Sequence, residues 1–191
     1  VVTDDPPSPT SLVGNLDSAT IENRWLKITF NPARGCLSSI VEKSTGADWV
    51  DPDSPHGFGH YLYQQFDRTE CDAYIHSYLH PQYHGSHGPI TAKSTFVPTT
   101  ARHIDFSPAN LNLEIDRNDF SITATLVPSP PNDDHPQTAG LSVTLYEALP
   151  VLDLKLNIVN HPATENPEAG WICLPLAIDH PQFRLRTPGA I

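Results

Sequence analysis

The chain has 191 residues and a formal net charge of −11, with only 11 Lys and Arg side chains in all. Nucleic-acid binding and docking on anionic lipid both draw on clustered basic residues, so this balance argues against either. A neutral ligand such as a sugar is compatible with it.

The length suits one domain that can bury a core without covalent staples. Charged residues make up 17%, hydrophobic residues 38%, and Pro occurs 20 times, a composition that fits a loop-rich β protein better than a helical bundle. No apolar run approaches the length of a membrane span. Val1 to Asp5 lacks the basic and apolar regions of a signal peptide. Met is absent, so Val1 reads as the product of processing or of cutting from a longer chain. Cys36, Cys71 and Cys173 permit one bridge, and their spacing does not select the pair. There is no glycosylation sequon, and the compartment is left open.

Residues 1–18 read as a linker, because Pro6-Pro7-Ser8-Pro9 interrupts any strand or helix. The domain is expected over 19–191. Leu26, Ile28 and Phe30 alternate with Trp25, Lys27 and Thr29, the period of a half-buried strand. Asn31 to Gly35 is a turn and Cys36 to Lys43 the return strand, so 20–43 reads as a hairpin. A second turn at Ser44-Thr45-Gly46 leads to Trp49. The stretch 51–100 holds six of the ten His residues, and apart from a strand near Tyr61 to Phe66 it reads as irregular, with a long loop over about 67–100.

Beyond residue 100 the pattern is plainly β. Leu111, Leu113 and Ile115 face one way, as do Phe120, Ile122, Ala124 and Leu126, with turn residues Asp116 to Asp119 between the two runs. Leu141, Val143 and Leu145 form another face, then Leu152, Leu154, Leu156 and Ile158. Gly170 to Ile178 is the most apolar run and is expected to be buried on both faces. No helical stripe and no internal repeat stands out. Roughly nine strands imply an all-β antiparallel sandwich or barrel.

Three constellations bear on chemistry. His76, His80, His84 and His87 are close enough in sequence to converge on a zinc ion. Their four-residue spacing aligns them only on a helix, however, and Pro81 and Gly85 oppose one, so a polar loop is the plainer reading. Paired carboxylates for glycoside hydrolysis stand about 5–10 Å apart. With 22 acidic residues such pairs are inevitable, and most fall in turns or on polar strand faces, which are solvated positions. Aromatic rings with polar tips suit half-wet sugar pockets. Trp49, Tyr61, Tyr74, Tyr78 and Tyr83 are the candidates, while Trp25 and Trp171, inside expected strands, read as core. There is no nucleophile elbow, phosphate loop or CxxC. No catalytic residue is assigned and no cofactor is required, zinc on the His set being the one to test.

Several segments carry a family likeness. Glu22-Asn23 before a strand, the Gly35 turn, and Glu42-Lys43 closing the return strand resemble the opening of the β domain in proteins related to family 38 glycoside hydrolases, the α-mannosidase group. Asp48-Trp49-Val50-Asp51 with Gly57 to Tyr63 is similar to the next segment of that group. Leu149 to Leu154, Pro167 to Ile172 and Leu174-Pro175-Leu176 resemble its later strands. The likeness covers about 20–63 and 141–185. It implies a galactose-mutarotase-like supersandwich that follows an N-terminal catalytic domain, and that domain holds the family's zinc ligands and nucleophilic Asp. No such motif occurs here, so no catalytic role transfers. Family members continue with more strands past the position of Pro188 to Ile191, which implies a fragment or a shorter relative.

Three functions follow as expectations. The first is a non-catalytic β-sandwich piece of an α-mannosidase-like hydrolase, partnered by the remainder of a precursor or by a second chain. The second is a free-standing carbohydrate-binding module, and the third a His-rich metal-binding protein.

Overall fold

The computed structural model describes residues 11–78, 97–98, 100–128, 138–159, 161 and 163–182, without the side chains of Ile75, Tyr78 and Thr138. Among them are eleven strands and one helix, and every strand pairing is antiparallel. The first sheet runs β1 (Val13–Asn15), β2 (Thr20–Glu22), β3 (Leu26–Asn31), β4 (Cys36–Glu42) in spatial order. The hairpin expected within 20–43 is therefore present as β3 and β4, with β2 and then β1 added on the β3 side. Its turn needs glycine: Gly35 has φ 65°, and a Cβ there would stand 2.5 Å from the Pro108 carbonyl oxygen.

The second sheet has the order β10 (Leu152–Val159), β9 (Thr138–Tyr146), β8 (Ser121–Val127), β7 (Asn112–Arg117). The third has β11 (Glu168–Cys173), β5 (His60–Gln65), β6 (Ile104–Phe106). Isolated bridges Leu37↔Phe58, Val41↔Asp48 and Val50↔Leu176 join the first and third sheets into one layer. The β7–β10 sheet is the facing layer. Between them lies a core of Ile21, Ile28, Phe30, Leu37 and Ile40 against Ile122, Ala124, Leu126, Leu141, Val143 and Leu145. A second cluster places Tyr61 and Tyr63 of β5 against Ala139 of β9 and Leu156 of β10.

The period-two faces assigned over 111–126 and 141–158 are the ones that turn inward, with two exceptions at their ends. Phe120 sits in the turn before β8 and is exposed, because Asn118 takes the backbone N–H groups of Phe120 and Ser121 and closes the turn there. Ile158, at the far end of β10, is exposed as well.

Three sequence expectations need correction. Residues 12–15 are not linker: Leu12 is wholly buried in the core, and β1 pairs with β2. The stretch 67–100 is not all irregular, since α1 (Arg68–Tyr78) occupies its start. That helix opens on a reciprocal cap in which Glu70 N–H donates to Asp67 Oδ1 and Asp67 N–H donates to Glu70 Oε2, both at 2.9 Å. The run from Gly170 to Ile178 is not buried on both faces: Trp171 is 52% exposed, and Ile172, Leu174, Leu176 and Ile178 are exposed too.

The two layers are tied at one end by Asn23, which is 0% exposed. Its Oδ1 accepts from the Trp25 and Leu26 N–H groups at 2.9 and 2.8 Å, and its Nδ2 donates to the Tyr146 carbonyl across the sandwich at 2.9 Å. Asn23→Ala orphans two part-buried donors and one acceptor, so a loss of about 2–3 kcal/mol is expected in urea unfolding. A change under about 0.5 kcal/mol, the size of an ordinary surface substitution, would show that water replaces these bonds freely.

Candidate functional site

Directly opposed residues of an antiparallel pair put their side chains on the same side of the sheet. This sorts the β11–β5–β6 sheet into two faces. Tyr61, Tyr63 and Gln65 look inward with Ile172, Gly170, Glu168 and Phe106. His60, Leu62 and Gln64 look outward with Cys173, Trp171, Ala169 and Asp105.

The outward face carries a continuous chain of polar contacts. Trp171 Nε1–H donates to Gln64 Oε1 at 2.9 Å, and Gln64 Nε2 donates to Asp105 Oδ1 at 2.9 Å. Asp105 Oδ2 lies 3.2 Å from His103 Nε2, and His103 Nδ1 lies 2.8 Å from Glu70 Oε1 on α1. A neutral imidazole has one N–H, so donating to both carboxylates at once requires the imidazolium. Hydrogen bonding to Asp105, and then the Glu70 and Asp105 charges, accordingly raise the His103 pKa above its ordinary value. Asp105 is lowered, first by its bond from Gln64 and then by that from His103.

At one end of the inward face, Tyr63 O–H donates to Glu168 Oε2 at 2.6 Å and accepts from Gln65 Nε2 at 2.6 Å. His161 Nε2 stands 2.9 Å from Glu168 Oε1. Burial, reinforced by the bond to Glu168, pushes the Tyr63 phenol up to about 12. A phenol at that value stays protonated near neutral pH and serves as a donor that fixes Glu168.

Near the start of β5, His60 and His56 hold their rings 5.8 Å apart. His60 Nδ1 is shielded and has no hydrogen-bond partner among the described residues. Burial, with His56 and Arg34 nearby, lowers its pKa. Cys36 is packed so closely against Gly57 that a side chain at 57 would overlap its sulfur. Cys36, Cys71 and Cys173 are free thiols.

The residues singled out from sequence scatter. Tyr61 is 5% exposed and spends its ring on the β5–β9–β10 cluster, so it has no face to offer a sugar. Trp49 is exposed, next to Val50 in the extended segment that pairs with Leu176. Tyr74 is exposed on α1, one turn beyond Glu70 and on the same helix face. His76 is also on α1, its Nδ1 2.6 Å from the Asp72 carbonyl oxygen. Tyr83, His80, His84 and His87 lie outside the described residues, as does the Tyr78 side chain. No three His, Cys, Asp or Glu side chains gather as metal ligands among the described residues.

Trp171, Gln64, His103 and Asp105 were not selected from sequence. The register of Trp171, Gln64 and Asp105 across three strands, with His103 just before β6, is the signal, and it exists only once β5, β6 and β11 are paired.

The chain matches no protein-family model, and no curated protein matches it.

The two histidines are expected to titrate on opposite sides of about 6.5. His103, raised in the fold, adds stability below its unfolded value, and that stability is lost as pH rises through the folded one. His60, lowered in the fold, adds stability above its unfolded value, and that stability is lost as pH falls through the folded one. Imidazole NMR titration checks both. Asp105→Asn should lower the His103 midpoint and leave that of His60 in place, whereas coincident midpoints for the two rings would contradict the assigned contacts.

Proposed function

We propose that this chain is a non-catalytic β-sandwich module of an α-mannosidase-like carbohydrate-processing protein, of the galactose-mutarotase-like supersandwich kind, and that another stretch of polypeptide completes it. The family likeness of the Glu22-Asn23, Glu42-Lys43 and Trp171 segments supports the first part. The second part rests on one observation: beyond Leu145 no described residue is buried.

The geometry of that end is specific. Leu176 is opposite Val50, which is 5% exposed and in the core, yet Leu176 itself is 47% exposed. Ile172 is opposite the buried Tyr61 and is also exposed. These side chains point to the core side of their layer and have no cover among the described residues. The reason is a mismatch of layers. β1 and β2 sit over β7 and β8, as the approach of Gly14 to Ile115 and Ile122 shows. β5 sits over β9 and β10 through Tyr61 and Leu156. β11, one strand further out, therefore extends past β10, the last strand of the facing layer among the described residues. A strand added to the edge of β10 that no described strand pairs would cover Ile172, Leu174, Leu176 and Ile178, burying apolar surface at about 25 cal/mol per Å².

Light scattering on the isolated chain tests this. The mean mass is expected to exceed 21.0 kDa and to rise with concentration, and Leu176→Ser with Ile172→Thr should reduce the association. A strictly monomeric chain whose stability the double substitution leaves unchanged would remove the case for a missing cover. The isolated chain is also expected not to hydrolyse aryl α-mannosides, with or without added zinc. Turnover that survives rigorous purification would overturn the non-catalytic assignment.

A further inference from the structure

The outward face of the β11–β5–β6 sheet is a separate matter from the unroofed inward one. Alternation along β11 sends Trp171 outward and Ile172 inward, so a strand that covers Ile172 leaves Trp171 in water. We propose that the Trp171 ring, with Gln64, Asp105, His103 and Glu70 beside it, is a binding platform for a neutral oligosaccharide. This deepens the carbohydrate half of the function proposed above and rests on it for the expectation of a sugar. The platform's geometry is independent of the open edge.

The platform has the two parts that sugar recognition needs. The first is a flat apolar surface held still. Trp171 is 52% exposed, and its only polar atom is already bonded to Gln64 at 2.9 Å, so the ring is positioned before any ligand arrives. The second is a row of fixed polar groups alongside. Asp105 and Glu70 are partly exposed at 55% and 38% of their side chains. A carboxylate has about four lone-pair sites. Asp105 uses two of them, on Gln64 and His103, and Glu70 uses two, on His103 and the Asp67 N–H. The remaining lone pairs can accept from ring hydroxyls. Three strands span about 10 Å between their outer members, enough for a sugar ring to lie on the indole and reach the Asp105 edge. His103 balances part of the carboxylate charge, which suits a neutral polyol better than a cation.

The test is titration of the folded chain with mannohexaose, cellohexaose and xylohexaose, read on the Trp171 indole Nε1–H and the His103 imidazole NMR signals. At least one of these probes is expected to shift both signals saturably. Trp171→Ala should weaken that binding at least about tenfold, as removal of a central aromatic contact does, and Gln64→Ala should weaken it less. The Ile172→Thr and Leu176→Ser pair should reduce self-association while leaving sugar binding in place. Absence of any saturable shift with all three probes, or binding that Trp171→Ala leaves untouched, overturns the platform. Either result leaves the scattering result, and with it the open-edge reading, standing.

Discussion

Asn23 is the point through which the two layers know each other's position. A buried amide has four hydrogen-bonding sites, and leaving them unpaired costs about 1–3 kcal/mol per group, so its partners are held in place around it. Its oxygen closes the turn into β3, and its nitrogen reaches the Tyr146 carbonyl at the end of β9. Lys43 then reaches back to the Asn23 carbonyl at 2.5 Å and to Glu22 at 2.7 Å. The next residue of β9's continuation, Glu147, accepts from the Ser11 N–H and hydroxyl and meets Arg24. Glu22-Asn23 and Glu42-Lys43, separate in sequence, are one knot in space. Their spacing is thus a packing requirement, and it carries no catalytic meaning by itself.

Away from that end the layers run out of register with each other. β2 lies over β8 at that end and β5 over β9 and β10 at the other, so β11, on the outer side of β5, reaches past the described strands of its partner layer. The exposed stripe on 172–178 lies on that overhanging strand and the segment after it. Sheet edges with apolar rows are ordinarily blunted by charge, proline or cover. Residues 168–178 contain one charged side chain, Glu168, and it is held by Tyr63 and His161 at the far end of the strand. The overall charge of −11 gives general repulsion between copies, but the stripe itself carries none.

Most of the sandwich was legible because alternation in β3, β8 and β9 is strict and their inward residues are the large aliphatic ones. The helix was not legible from periodicity, since the visible sequence from Arg68 to Tyr78 mixes polar and apolar residues without a stripe. Its start was available in the Asp67-Arg68-Thr69-Glu70 cap, a signal that needs no hydrophobic pattern. Leu12 was hidden by the prolines before it: the composition of 6–9 dominated a window whose last residues belong to the core. Trp171 was read as core because it lies in an apolar run. A run apolar at every position says nothing about which parity faces the interior, and pairing with Tyr61 and Leu62 decides it.

That same parity allows one short strand to serve two surfaces. Residues 171 and 172 are adjacent in the chain, but the sheet plane separates them, so what covers one does not reach the other. Glycine at 170 is what lets the strand lie close: a Cβ there would stand 2.9 Å from the Tyr61 hydroxyl, and Tyr61 in turn holds β5 down on Ala139 and Leu156. β5 is thereby clamped from within, and Gln64, projecting from its other side, inherits that rigidity. The ordered outer face is thus built on the inner cluster. Loosening the Tyr61 contact should disturb the Trp171 indole without touching it, which links the core of the third sheet to the surface proposed for binding.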